Sequence, residues 1–337
     1  MKFNRIALTI ALSASLFASN ITQAKKIFCD LGEVLLKPST SKALRSIGIG
    51  TCLDCMACGT KPSKKFLLEY LSSCTVAGCS AIDPETELPA CYNPWFTGTI
   101  SSDSFVDSLQ ESIENDAQLR RGQKGFLKAA VENMRPQGMR QVIEIIPEGL
   151  KFLKDCTECL DTDGQSNELY IISNWDKDSY PLIKEAQAKL FAYFKEENIT
   201  ISGLVGMMKP HKNIFEHVIC KHNLTTMDDC IFIDDTVNNC KGARKCGFAA
   251  IEHKEWRSTR KTLRKMGVFG RKLTPEERAQ MRELNSSTAM HNDDTEDQTV
   301  QENIKTDNEE QHLGQEMPEA SLVTLLLALI KIILGLA

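Results

Sequence analysis

The sequence predicts a doubly wound, parallel α/β sheet with a mainly helical, cysteine-rich insertion after its first strand. Three observations lead there. Short apolar runs alternate with amphipathic helical patterns from residue 147 to residue 251, and continuous apolar runs suit parallel strands covered on both faces. One further run of this kind, Ala24-Lys25-Lys26-Ile27-Phe28-Cys29, stands apart, separated from the others by helical and cysteine-rich sequence. Polar residues follow three of the runs directly, at Asp30, Ser173-Asn174 and Asp234-Asp235, and the carboxyl ends of parallel strands are where open α/β sheets bind ligands.

The elements follow in order along the 337 residues. Lys2 and Arg5 precede the apolar run Ile6 to Ala18, which is too short to span a bilayer, and Thr22-Gln23-Ala24 supplies the small residues of a cleavage site. A signal peptide over residues 1–24 and an exported (periplasmic, extracellular or lumenal) chain are expected. Residues 38–146 form the insertion, helical at 64–71, 102–114 and 124–133. The core, residues 25–37 and 147–273, resumes with a helix at 147–160 that places Leu150, Phe152, Leu153 and Cys156 on one face. Strands are expected at 168–172, 199–205, 230–233 and 248–251. Helices are expected between them at 181–194, 212–222 and 238–245.

Residues 274–320 hold 13 Asp/Glu against 3 Lys/Arg with no sustained apolar period, and are expected to form a disordered, self-repelling tether. The final run, SLVTLLLALIKIILGLA, covers residues 321–337. As a helix it is about 25 Å long and puts Ser321, Thr324, Ala328, Lys331 and Gly335 on one stripe. A membrane anchor with a small packing face is expected; a tail docked on protein, or an oligomerisation helix, is the alternative.

The net charge of −5 is concentrated in the acidic tract. Without it there is no basic excess to suit a nucleic acid. All 13 cysteines follow the signal segment, and the odd number leaves at least one unpaired. Cys52, Cys55, Cys58, Cys74, Cys79 and Cys91 could make three disulfides or bind zinc, and export favours disulfides. Cys156-x-x-Cys159 lacks the preceding strand of a redox motif.

Three strand ends in one crevice bring together carboxylates that repel one another unless a hard cation lies between them, and Mg²⁺ suits such a set. Lys209-Pro210 adds a cation ahead of a helix. The segments IFCDLGEVLL, ELYIISNWD, MMKPHKNIFEHVI and CIFIDDTVNNCKGARKCGF, in that order, resemble the haloacid dehalogenase-like (HAD) hydrolase superfamily. The likeness is to its small sugar-phosphate phosphatases with a helical cap between the first two motifs. TGTISSDSF, with Gly98, Ile100, Ser101 and Phe105, resembles a cap pattern of that branch. The resemblance covers residues 26–255 and implies a Rossmann-like core.

The resemblance also implies the roles. Asp30 would be the nucleophile, forming an aspartyl-phosphate. Asp234 and Asp235 would hold Mg²⁺ with Asp30 and the Gly32 carbonyl. Ser173 and Asn174 would bind phosphoryl oxygens, and Lys209 would neutralise charge and orient Asp30. Asn238 or Asn239 would orient the metal carboxylates. The expected partner is a small phosphorylated molecule. Many members carry a second Asp two residues after the nucleophile, as general acid and base; here that position is Gly32. The alternative is therefore a catalytically impaired binding protein on the same fold. A dehalogenase is disfavoured by the Asp234-Asp235 pair.

Overall fold

The computed structural model describes residues 24–73, 82–86 and 88–280. The expected signal peptide up to residue 23, Cys74, Cys79 and the apolar run at 321–337 lie outside the described residues. Among the described residues no helix is long and apolar enough to cross a membrane.

Strand β1 (Lys26–Cys29) is followed by the short β2 (Leu36–Pro38) and then by the insertion. The insertion is helical: α1 (Thr40–Ile47), α2 (Ile49–Ala57), α3 (Lys64–Ser73), α4 (Tyr92–Phe96), α5 (Ser102–Asn115), α6 (Arg121–Glu132) and α7 (Pro136–Val142). Strand β3 (Ile143–Ile145) returns antiparallel to β2, pairing Leu36 with Ile145 and Pro38 with Ile143. This ribbon was not anticipated, because three-residue strands paired across more than a hundred residues leave no local period to read.

The rest of the core alternates: α8 (Pro147–Glu158), β4 (Glu168–Ser173), α9 (Tyr180–Ala186), β5 (Ile199–Ile201), α10 (Lys212–Lys221), β6 (Cys230–Asp234), α11 (Val237–Lys245), β7 (Ala249–Glu252) and α12 (Trp256–Lys265). The five long-range strands form one parallel sheet in the order β5-β4-β1-β6-β7. Three expectations are corrected. The strand expected at 199–205 ends at Ile201 and turns into a helical turn, Ser202–Val205, where Ser202 Oγ donates to the Phe96 carbonyl of the insertion. The helix expected at 181–194 is broken after Ala186. The disorder expected from 274 does not hold over 275–280, which are helical, with Thr274 and Glu277 exchanging side-chain and backbone hydrogen bonds; residues 281–320 lie outside the described residues.

Alternation along the strands divides the core. Ile27, Cys29, Leu169, Ile171, Ile231 and Ile233 face α8 and α12, meeting Phe152, Leu153, Trp256 and Leu263. Phe28, Tyr170, Ile172 and Phe232 face the other way, onto Ile214, Phe215, Val218 and Phe248. The insertion has a separate core, in which Trp95 stacks on Phe105 and α2 packs on α6 through Cys52, Cys55, Phe126 and Leu127. Burial of each large side chain contributes about 1.5–3 kcal/mol, so the two clusters on the sheet faces stabilise the core unit and the third stabilises the insertion.

The units meet along a buried seam. Ser102 Oγ donates to Asp176 Oδ1 at 2.6 Å, and the Ser102 N–H donates to Asp178 Oδ2 at 2.8 Å. Gly98, at φ +70°, lies so close to the Gly203 carbonyl that a Cβ at residue 98 would overlap it. Cys52 and Cys55 are buried thiols and Cys58 a partly exposed one. The three disulfides expected among the insertion cysteines are therefore not formed at these positions.

Candidate active site

The sheet order sets the site. The chain runs from β1 to β4 and β5 on one side, then crosses to β6 and β7 on the other, so the switch point falls between β1 and β6. Register places Cys29 opposite Ile233, and the Asp30 N–H donates to the Ile233 carbonyl at 2.9 Å. Asp30 and Asp234 thus end adjacent strands. A carboxylate oxygen from each of Asp30, Asp234 and Asp235 lies within 4.8 Å of the others.

Lys209 is buried between two of these carboxylates, with Nζ 2.9 Å from Asp30 Oδ1 and 2.6 Å from Asp234 Oδ2. The first contact is an ion pair whose angle falls outside hydrogen-bond geometry, so Asp30 Oδ1 is a buried oxygen with no full hydrogen-bond partner. The second is a hydrogen bond. Burial alone would push Lys209 down; the carboxylates of Asp234 and Asp30 outweigh it and push it up, so the ammonium is fixed. Burial pushes Asp30 up and Asp234 adds to the push, while Lys209 and the Ser173 hydroxyl oppose it. Asp235 is pushed up to about 7 by burial and by the charges of Asp30 and Asp234. One ammonium among three carboxylates leaves the pocket short of positive charge, and a hard divalent cation fits that deficit.

Asp234 is fully engaged. Its Oδ1 accepts from the Thr236 N–H at 2.8 Å and Asn239 Nδ2 at 3.0 Å, and its Oδ2 accepts from Lys209 and, at 3.1 Å, from Asn239. Of the two asparagines proposed to orient the carboxylates, Asn239 does so; Asn238 turns outward and accepts from Lys241. Ser173 is buried at the end of β4, and its hydroxyl helps to hold the Asp30 pKa down against burial.

Asn174 has a contact that the sequence does not announce. Its Oδ1 accepts from the Lys209 N–H at 2.8 Å and its Nδ2 donates to the Lys209 carbonyl at 2.8 Å. Both ends of the carboxamide clamp the lysine's backbone, so the side chain holds Lys209 in place, and the second N–H of its amide is not engaged by that clamp. Gly32 lies two residues after Asp30: a Cβ there would find only Asp30 Oδ2, at 3.9 Å, within van der Waals reach.

Sequence reasoning missed Asp176, which is buried and accepts from Ser102 Oγ, the Ser179 N–H and the Ser179 hydroxyl. The signal was available, since Asp176 stands three residues before Ser179 at the start of α9. It also missed His211, Asp83 and Glu85, for which sequence carries no signal because their contacts join distant segments.

No family model matches the chain, and no curated protein matches it. Solved structures do. An HAD family enzyme of Bacteroides thetaiotaomicron is 17% identical, with 69% of this chain and 95% of that one covered at a TM-score of 0.43. A complex of that enzyme with magnesium and inorganic phosphate matches at 15% identity, 70% and 99% coverage and a TM-score of 0.43. A predicted HAD-like family hydrolase of Porphyromonas gingivalis is 17% identical, with 72% and 98% covered at a TM-score of 0.41. These are likenesses of chain arrangement; the chemistry of this protein rests on its own side chains.

Proposed function

We propose that the protein is a Mg²⁺-dependent phosphatase of the HAD-like type, hydrolysing a small phosphorylated molecule through an aspartyl-phosphate on Asp30. One observation carries the reading: three carboxylates converge within 4.8 Å at the strand ends, with a buried lysine between Asp30 and Asp234. Asp30 and Asp235, with the Gly32 carbonyl, would hold Mg²⁺. Asp234, its lone pairs already engaged, would contribute charge and the orientation of Lys209. Bound Mg²⁺ would neutralise carboxylate charge and polarise phosphoryl oxygens.

The residues perform the rest. Asp30, ionised, attacks phosphorus as the bond to the leaving oxygen breaks, and Lys209 and Ser173 steady the charge that spreads over the phosphoryl oxygens. Water then attacks the aspartyl-phosphate, releasing inorganic phosphate and restoring Asp30. The leaving oxygen and the attacking water each need a proton transfer, and no side chain at residue 32 supplies it. This favours substrates whose leaving group is already acidic or carries its own proton donor. It also supports a second reading, a phosphate-binding protein with little turnover. Export follows from residues 1–24 and membrane association from residues 321–337, both on sequence grounds.

The test is turnover of an aryl phosphate and a sugar-phosphate panel by protein beginning at Lys25. Chelator-sensitive hydrolysis that vanishes in Asp30→Asn is expected. Equal rates in the wild type and this variant, both folded, would leave the binding-protein reading.

A further inference from the structure

We propose that His211 is a positioning residue: it latches the insertion, through Asp83 and Glu85, onto the loop that carries Lys209, holding that loop and the closed crevice in place. Its role in turnover rests on the phosphatase reading; its role in closure does not.

Lys209 reaches the carboxylates on a loop with few anchors. Asn174 clamps its backbone, and the His211 N–H closes a turn onto the Met208 carbonyl at 3.1 Å. His211 then leaves the core and meets the insertion, with Nδ1 2.7 Å from Glu85 Oε2 and Nε2 3.8 Å from Asp83 Oδ2. Asp83 is a built receptor. Its Oδ1 accepts from the N–H groups of Glu85 at 2.9 Å and Thr86 at 3.0 Å, and its Oδ2 accepts from Asn93 Nδ2 at 2.7 Å. Burial alone would push this carboxyl up; those donors and His211 outweigh it and hold it below the usual range. Asn93 belongs to α4, whose Trp95 and Phe96 lie in the insertion's own core, so the receptor is rigidly tied to that unit.

A second bond grips the other loop. Glu33, three residues after Asp30 and at φ +54°, accepts from Lys64 Nζ of α3 at 2.7 Å. The insertion therefore holds both loops that flank the crevice. The seam at Ser102 and Asp176 is different in kind: these two side chains are buried and hydrogen-bonded to each other, beside the close approach of Gly98 to Gly203, while Arg140 of α7 pairs with Glu185 of α9 on the exposed surface. Exposed ion pairs are weak and exchange easily with water, whereas close-packed seams resist opening. Pairs over the crevice and packing at the seam give a cap that opens at the mouth and pivots at the seam.

The full chain tests this with His211→Ala, His211→Lys (which keeps a side-chain N–H donor), Glu85→Gln and the double variant His211→Ala/Glu85→Gln. Hydrogen exchange without substrate is followed in residues 82–86 and 208–212. His211→Ala is expected to speed exchange in both segments together and to raise KM about three- to tenfold, more than it changes kcat. His211→Lys is expected to restore much of both, and the double variant to be no worse than His211→Ala alone. Unchanged exchange in His211→Ala, or additive effects in the double variant, would overturn the latch. If even the wild type shows no turnover, the phosphatase reading fails, and the exchange data still decide the latch.

Discussion

Asp30, Lys209, Asp234 and Asp235 were readable because each stands directly after an apolar run or ahead of a helix, and a parallel sheet sends all such ends to one edge. What each neighbour does there was less readable. Asn174 follows Ser173 in sequence, yet its carboxamide also clamps the Lys209 backbone, a contact between distant segments that sequence does not announce. Under the phosphatase proposal, Gly32 stands where a proton-transferring side chain would be needed. Its site has room, with nothing closer than 3.9 Å to an added Cβ, and its φ lies outside the left-handed region. Gly32→Asp is expected to raise hydrolysis of an alkyl phosphate by about 10²-fold or more, within the 10²–10⁴ range of general acid–base catalysis. An aryl phosphate, whose leaving group needs little protonation, should gain much less. Equal gains on both substrates would show that proton transfer is not what residue 32 lacks.

At the level of elements, strands and helices with their own period were legible, and those defined by distant partners were not. The β2–β3 ribbon and the truncated β5 are of the second kind; β5 stops because Ser202 is drawn to the insertion. The junction of β7 and α12 carries a pH-dependent contribution. His253 is buried against the Trp256 ring, with Nδ1 2.9 Å from Thr259 Oγ1, and burial pushes its pKa down from 6.5. The unfolded chain then binds a proton that the fold excludes, so stability is lost as pH falls below about 6.5. Asp235, pushed up to about 7, acts with the opposite sign over the same range. The readout is therefore the difference in Tm between wild type and His253→Gln from pH 7.5 to 5. Wild type should lose more; parallel curves would mean that the histidine is charged in the fold.

At the scale of the molecule, the crevice stores electrostatic repulsion that a cation relieves. Mg²⁺ at about a hundred times its Kd should add about 2.7 kcal/mol of stability by mass action and raise Tm accordingly. The shift should largely disappear in Asp235→Asn, with the apo Tm of that variant no lower than wild type, since one repelling carboxylate is gone. An undiminished shift would place the cation elsewhere. Sequence could not reveal how insertion and core meet. Gly98 against Gly203 and His211 against Glu85 are pairs from segments far apart in the chain, and only the folded arrangement brings them together.

The ribbon has a consequence for descent. Because Pro38 and Ile143 lie side by side as paired neighbours, the chain enters and leaves the insertion at almost one point. Everything between is an excursion that a tight turn could replace without disturbing the register of the parallel sheet. The carboxylate-bearing edge and the unit above it can therefore change by separate histories: one lineage can keep the carboxylates and the lysine while exchanging the excursion for another of different size and chemistry, with new contacts to the loops that the present one holds.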